Sequence, residues 1–324
     1  MSVLNIRTAE REGARLVVGI AGISGSGKTY TALQIAYGLA NFDASKVGLL
    51  DTENRRGSLY ADILKDEHGK VQKFKVGDLD APFSPSRYIE AIRQFQKAGV
   101  EVLVIDSVSH EWEGLGGCHD IANPPGVTLK IAKWNDAKAE HKRFMNVLLA
   151  SNMHIIVCIR ARNKVKPVKV GGKTEFEDQG VMPVQEQNFM FELTVSMMMW
   201  NGGKVRDVIK SSGVEHIFGQ VGAVEGYLTA QHGLQLRSWV DGAKELDPEV
   251  EAARNALRSI SEKGVAAYRD AWVAMPRHLQ RALSDDGSHN TLKAAAEAFD
   301  LQRSEAKPGG AELDALNNEL AGDE

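Results

Sequence analysis

Leu16-Val17-Val18-Gly19-Ile20-Ala21-Gly22-Ile23-Ser24-Gly25-Ser26-Gly27-Lys28-Thr29 is the stretch that decides the fold. It opens as an uninterrupted apolar run ended by glycines, the pattern of a buried strand. It closes as G-x-x-x-x-G-K-T, a glycine-rich turn whose successive backbone N–H groups converge on phosphate oxygens when it sits between a strand and a helix. Beyond Lys28 the period changes, and Leu33, Ala36, Tyr37 and Ala40 recur at helical spacing. The context is therefore the required one. The lysine of such a loop reaches the β- and γ-phosphates and the following hydroxyl holds Mg²⁺. Gly22, Ser24, Gly25, Ser26, Gly27, Lys28, Thr29 and Tyr30 are accordingly expected to bind a nucleotide. ATP and Mg²⁺ are the expected ligands, with Lys28 acting in catalysis and Thr29 on the metal.

Outward from the loop, strands and helices alternate. Val47-Gly48-Leu49-Leu50 reads as the next strand. Ser84 and Pro85 open a helix with Tyr88, Ile92 and Phe95 on its apolar face, and Gly99 ends it before a strand over 100–105. A third helix carries Trp134, Ala137, His141, Phe144, Met145 and Leu148, and leads into a strand over 154–159. This order predicts an α/β fold with a mainly parallel sheet covered by helices on both faces, and ligands at the carboxyl ends of the strands. After Lys164 a Gly/Lys/Pro loop is expected. Strands follow over 189–199 and 205–209 as a hairpin around Asn201-Gly202-Gly203, and apolar runs over 215–222 and 233–240 finish the core. Helices over 251–260, 265–275 and 290–299 predict a small C-terminal module. The division is a core over 1–246, a helical module over 247–304 and an acidic, disordered tail over 305–324.

Composition sets the class. The chain has 324 residues, 43% hydrophobic and 25% charged, enough for a large core with an appendage. Two cysteines, Cys118 and Cys158, give neither a disulfide framework nor a Cys-rich zinc site. No apolar run approaches the roughly 20 residues of a membrane span, so the expected setting is cytoplasmic, host cytoplasm if the chain is phage-encoded. A net charge of −4 provides no overall field for nucleic acid. Charge is nonetheless uneven: Arg160, Arg162, Lys164, Lys166, Lys169 and Lys173 run without an intervening acid, and residues 312–324 are acidic.

The strand Val100-Glu101-Val102-Leu103-Val104-Ile105 ends in Asp106, the best Walker B candidate, expected to hold the metal through bound waters. In the AAA+ class a glutamate follows that aspartate directly; here Ser107 does. Leu49-Leu50-Asp51-Thr52-Glu53 closes the strand after the loop helix, which makes Glu53 the expected catalytic base, with Glu111 as a rival.

Together, the loop, Asp51-Thr52-Glu53 and Asp106-Ser107 resemble the ATPase core of RecA-type recombinases, in which a strand-end glutamate activates water. More closely, Leu50-Asp51-Thr52-Glu53-Asn54-Arg55-Arg56-Gly57-Ser58, Ala81-Pro82-Phe83-Ser84-Pro85 and Ile105-Asp106-Ser107-Val108-Ser109-His110-Glu111-Trp112-Glu113-Gly114 resemble bacteriophage RecA-like, core-only ATPases of single-strand annealing and recombination. The resemblance spans residues 16–210. It implies a RecA-like fold, ATP-dependent work on single-stranded DNA, and a homo-oligomer, ring or filament; a single-strand-binding protein is a candidate partner. The basic stretch stands where such proteins carry a mobile DNA-binding loop, so Arg160, Arg162, Lys164, Lys166, Lys169 and Lys173 are DNA-binding candidates, with Phe176 and Phe189 as stacking candidates. Lys204, Arg206 and Lys210 stand where such folds place cations reaching a neighbour's ATP, Lys210 foremost. His110, Glu111 and Trp112 are candidates to relay nucleotide state to residues 114–117. Two departures stand out: Arg160-Ala161-Arg162 occupies the place of a sensor glutamine, and no RecA-type oligomerisation segment opens the chain.

Competing readings are a small-molecule phosphotransferase, with Arg160 and Arg162 as lid arginines, and a nucleotide-dependent loader or switch with little turnover.

Overall fold

The structure is a computed structural model that describes residues 15–124, 130–170, 173–241, 248–285 and 287–305. Two compact units divide it, one within Gly13–Ala243 and one within Lys244–Glu324.

The first unit is built in chain order from β1 (Val17–Gly22), α1 (Lys28–Leu39), β2 (Val47–Asp51), β3 (Lys75–Asp78), α2 (Pro85–Lys97), β4 (Val102–Asp106), α3 (Ser109–Glu113), α4 (Cys118–Ala122), α5 (Lys130–Leu149), β5 (His154–Val170), β6 (Lys173–Pro183), α6 (Phe189–Glu192), β7 (Val195–Trp200), β8 (Val205–Ser211), α7 (Glu215–Phe218), β9 (Gly222–Glu225) and α8 (Ala230–Asp241). Among the described residues the sheet order is β3-β2-β4-β5-β1-β7-β8-β9, with β6 paired to β5. From β3 to β7 every pairing is parallel; β8 and β9 add antiparallel strands at one edge.

Alternation along the strands explains the layers, because successive side chains point to opposite faces. Val18, Ile20, Leu49, Val102, Val104, Ile156 and Met197 pack with α1 and α8 on one face. Val17, Ala21, Leu50, Leu103, Ile105, Ile155 and Val157 pack with Tyr88, Ile92 and Phe95 of α2 and Phe144, Met145 and Leu148 of α5 on the other. The chain thus folds as a mainly parallel sheet with helices on both faces, as its strand–helix order predicts.

Several expectations are corrected. Residues 160–173 are not a loop: they lie largely within the outer part of β5, which pairs with β6 as an antiparallel ribbon. Residues 189–199 do not form one strand, since Phe189–Glu192 turns as a short helix before β7. The apolar runs over 215–222 and 233–240 do finish the core as expected, through Ile217 and Phe218 of α7 and Leu236 and Val240 of α8. Strands β3 and β9 go beyond the expected elements; both are short and largely exposed.

The second unit contains α9 (Pro248–Ser261), α10 (Val265–Ala274), α11 (Arg277–Asp285) and α12 (Ser288–Glu305). Leu257, Tyr268, Leu283, Leu292 and Ala296 form its core. Helix α11 adds to the three expected there. The expected tail lies outside the described residues beyond 305.

Candidate functional site

Four adjacent parallel strands, in the order β2-β4-β5-β1, reach one edge of the sheet together, and their register sets the site. Asp51 lies opposite Asp106 across β2 and β4, and Gly22 opposite Arg160 across β1 and β5. The loop after β1, both strand-end acids and Arg160 therefore share one level at the sheet's carboxyl edge. A cavity of about 270 Å³ opens there, lined by Ser24, Gly25, Lys28, Thr29, Asp51, Glu53, Arg56, Asp106 and Arg160 among others.

The loop is held from below. Gly27 sits at φ +91° immediately before α1, and a methyl group on it would stand 2.7 Å from the Gly202 backbone, so both conformation and contact demand glycine. The Lys28 ammonium donates to the carbonyls of Gly22 (3.0 Å) and Ile23 (2.9 Å). Thr29 Oγ1 donates to Asp106 Oδ2 at 2.5 Å. Burial pushes the Asp106 carboxyl up to about 6, against the Thr29 hydrogen bond and the Lys28 charge, which favour its ionised form. A hydroxyl and a partly buried carboxylate in contact at the cavity wall make a donor set suited to a hard divalent cation. Among the other expected nucleotide residues, Ser24 and Gly25 line the cavity, Ser26 is buried, and Tyr30 is half exposed outside the cavity lining.

Asp51 shapes the opposite wall. Its carboxylate accepts the amides of Glu53 and Gly57, each at 2.6 Å, and so fixes the turn that aims Glu53 inward. The Glu53 carboxylate lies 3.8 Å from Arg160 Nε and 3.9 Å from Arg56 Nη1. Lys28, Thr29, Glu53 and Asp106 thus meet around one space.

Glu111, the rival base, does not line that cavity. It is fully buried, 3.0 Å from His141 Nδ1, and accepts from Cys118 Sγ (3.2 Å) and Gln185 Nε2 (3.3 Å). Trp112 packs there too, against Trp134 and His141. Helix α3 divides its side chains: His110 turns toward Thr52 and Arg160, Glu111 and Trp112 toward this cluster.

The remaining candidates separate. Arg162 pairs with Glu113 at 2.8 Å. Lys164 falls at the irregularity of the ribbon between Asn163 and Val165, Lys166 lies opposite Glu177, and Lys169 opposite Thr174. The side chain of Lys173 lies outside the described residues. Acids absent from the basic stretch itself, Glu175, Glu177 and Asp178, are thereby brought alongside it by β6. Phe189 is buried in the core and unable to stack on a base, whereas Phe176 on the ribbon is exposed. Arg206 is buried and donates to the carbonyls of Phe218 and Gly226, both at 2.8 Å, so it is a structural cation and not a finger. Lys204 is exposed, and Lys210 donates to the Phe191 carbonyl at 2.8 Å.

Residues 14–187, more than half of the chain, match the AAA domain family. The chain belongs to that family. It is a P-loop NTPase domain, and the glycine-rich loop with its lysine opens onto the cavity at the strand ends. Within this AAA domain Ser107 still follows Asp106, and Glu53 lines the cavity together with Lys28, Asp51 and Asp106. No curated protein matches the chain. Among the described residues no helix is long and apolar enough to cross a membrane.

Asp51 and Arg56 are the positions at this site least legible in the sequence. Asp51 does carry a signal, as an acid ending an apolar strand, but Glu53 two residues on is the stronger candidate for a base. Arg56 falls within the segment that carries the family resemblance, but nothing local marks it as facing the cavity.

Proposed function

We propose that the chain hydrolyses Mg-ATP and couples this to work on single-stranded DNA, in recombination, annealing or replication of the phage type. The observation that supports this most is the continuity of β5. Its Arg160 lines the phosphate cavity, and the same strand runs on into the exposed ribbon bearing Lys164, Lys166 and Lys169.

In this reading the loop amides and Lys28 bind the triphosphate, while Thr29 and Asp106 hold Mg²⁺. The metal supplies charge neutralisation on the β- and γ-phosphates when bound. Glu53 accepts a proton from water as the oxygen attacks the γ-phosphorus and the bond to the ADP oxygen breaks. Asp51 contributes by fixing the Glu53 backbone. Resemblance to RecA-like phage ATPases supports the DNA substrate and an oligomer, ring or filament, with a single-strand-binding protein as a candidate partner and the cytoplasm as the setting. A Lys210 acting across subunits would first have to leave the Phe191 carbonyl.

The test is steady-state ATP hydrolysis with and without single-stranded DNA, together with DNA affinity across a salt series. DNA stimulates turnover in the parent. Replacing Lys164, Lys166 and Lys169 by Ala weakens DNA binding and flattens its salt dependence, by roughly one counterion for each phosphate no longer neutralised. Singly, Lys164→Ala and Lys169→Ala weaken binding more than Lys166→Ala, because Glu177 already opposes Lys166. Equal DNA affinity in parent and triple variant contradicts the ribbon reading. Phosphate transfer to a small molecule with no response to DNA contradicts the function.

A further inference from the structure

A chain of hydrogen bonds joins the Walker B strand end to the arginine beside the cavity. Ser107 N donates to Thr52 Oγ1 at 2.9 Å, and Thr52 Oγ1 donates to Ser107 O at 3.1 Å. The hydroxyl has one proton, so its 2.8 Å contact with His110 Nδ1 requires Nδ1 to carry the hydrogen. On the other side of the ring, Arg160 Nη1 lies 3.1 Å from His110 Nε2. A guanidinium only donates, so Nε2 must be bare. Both neighbours select the same neutral tautomer. Phe83 stacks on the imidazole, with centroids 4.8 Å apart and planes 24° from parallel, and fixes its plane.

The charged groups facing the ring are Arg160 from β5 and Glu53 from the turn after β2. On its own helix, Glu111 points into the buried cluster and Glu113 is paired with Arg162. Burial first, and Arg160 with it, hold the His110 pKa below its ordinary value against the pull of Glu53. We propose that His110 is a positioning residue for turnover: as the neutral Nδ1–H tautomer it holds the Arg160 guanidinium beside Glu53 at the phosphate cavity, and its protonation releases that arginine. Protonated, the ring presents N–H to N–H and cation to cation, so the contact becomes repulsive. Arg160 begins the ribbon, so the same bond ties the position of the outer β5 to the geometry at the Walker B strand. This inference rests on the ATPase reading above.

The experiment measures kcat and KM for Mg-ATP across pH in the full chain, for the parent, His110→Ala, His110→Gln, Arg160→Ala and the His110→Ala/Arg160→Ala double variant. Binding of a fluorescent ATP analogue checks that each site is formed. His110→Ala lowers kcat roughly ten- to hundredfold, the cost of a misplaced group near the reacting atoms, with little change in analogue binding. His110→Gln, whose Oε1 can reach the place of Nε2, recovers most of kcat and shows a shallower fall on the acid side. The double variant is no slower than Arg160→Ala alone, because both remove one contact. Parental kcat in His110→Ala, additive losses in the double variant, or an unchanged acid-side profile in His110→Gln each overturn the proposal. Parental turnover with an indifferent His110→Ala sinks this inference alone. A parent that binds ATP without hydrolysing it sinks both this inference and the proposed function.

Discussion

Glu53, Asp106 and Lys28 are readable in the sequence because each sits where a change of pattern meets a chemistry-bearing side chain: an apolar run ending in an acid, or a glycine turn ending in a lysine. Glu111 shows the limit of that reasoning. Five residues past Asp106 it looks equally available, but its side chain lies in a buried cluster with His141, Cys118 and Gln185. The bond from Thr52 to His110 is equally hidden, since pairings across the sheet leave no local pattern. His154 is a further residue whose environment only the structure reveals. It is buried at the start of β5, where its Nδ1 accepts the Leu16 amide at 3.2 Å. Burial, with Arg15 and Arg237 nearby, pushes its pKa down to about 3 from an ordinary 6.5. Between those values the unfolded chain binds a proton that the folded chain refuses. Stability from this group is therefore complete above about 6.5 and is lost as pH falls toward 3. Asp106, raised to about 6, works in the opposite sense, its contribution being lost as pH rises through that value. Comparing parent with His154→Asn isolates the histidine. Unfolding free energies from urea titrations should fall on acidification in the parent, and fall less in the variant, by an amount on the order of a few kcal/mol. Parallel acid losses would remove His154 from the account.

At the scale of elements, legibility follows burial. Strands β1, β2 and β4 are apolar up to their last residue and announce themselves; β3 and β9, short and exposed, do not. The ribbon of β5 and β6 has the sequence of a loop, because Pro167 and Gly171-Gly172 are loop signals and because an exposed pair of strands needs no continuous apolar face. Its acids belong to a different stretch of sequence from its lysines, so the charge balance emerges only with the pairing. Helix α11 keeps just Leu279 and Leu283 buried, too sparse a stripe to stand out beside Pro276. The packing of α8 on α1 makes the sharpest prediction here. A methyl group on Gly38 of α1 would collide with the Ala230 carbonyl and stand 2.7 Å from Leu234 N, both backbone atoms of α8 that cannot swing aside. Gly38→Ala is expected to destabilise the first unit by about 1–3 kcal/mol despite alanine's better helix propensity. An unchanged or higher unfolding midpoint would show that α8 yields more easily than its packing suggests.

For the molecule as a whole, the sheet brings acids from separate strands to one edge and offsets their burial locally. Asp51 is satisfied by two backbone amides, whereas Asp106 has the Thr29 hydroxyl and the nearby Lys28 charge. That asymmetry sets them apart: Asp51 builds the turn, and Asp106 faces the loop hydroxyl and lysine. Fold class and site are legible together because a parallel sheet places its ligands where its strands end. The shape of the basic surface is not legible, since it depends on which strand pairs with the lysine-bearing one. The central claim is that the loop lysine, Asp106 and Glu53 serve one hydrolytic reaction. Its most direct test is phosphate release from Mg-ATP by the parent and by Glu53→Gln, with ATP affinity measured on both. The account predicts retained ATP binding and turnover reduced roughly a hundredfold or more in Glu53→Gln; turnover equal to the parent's would contradict it.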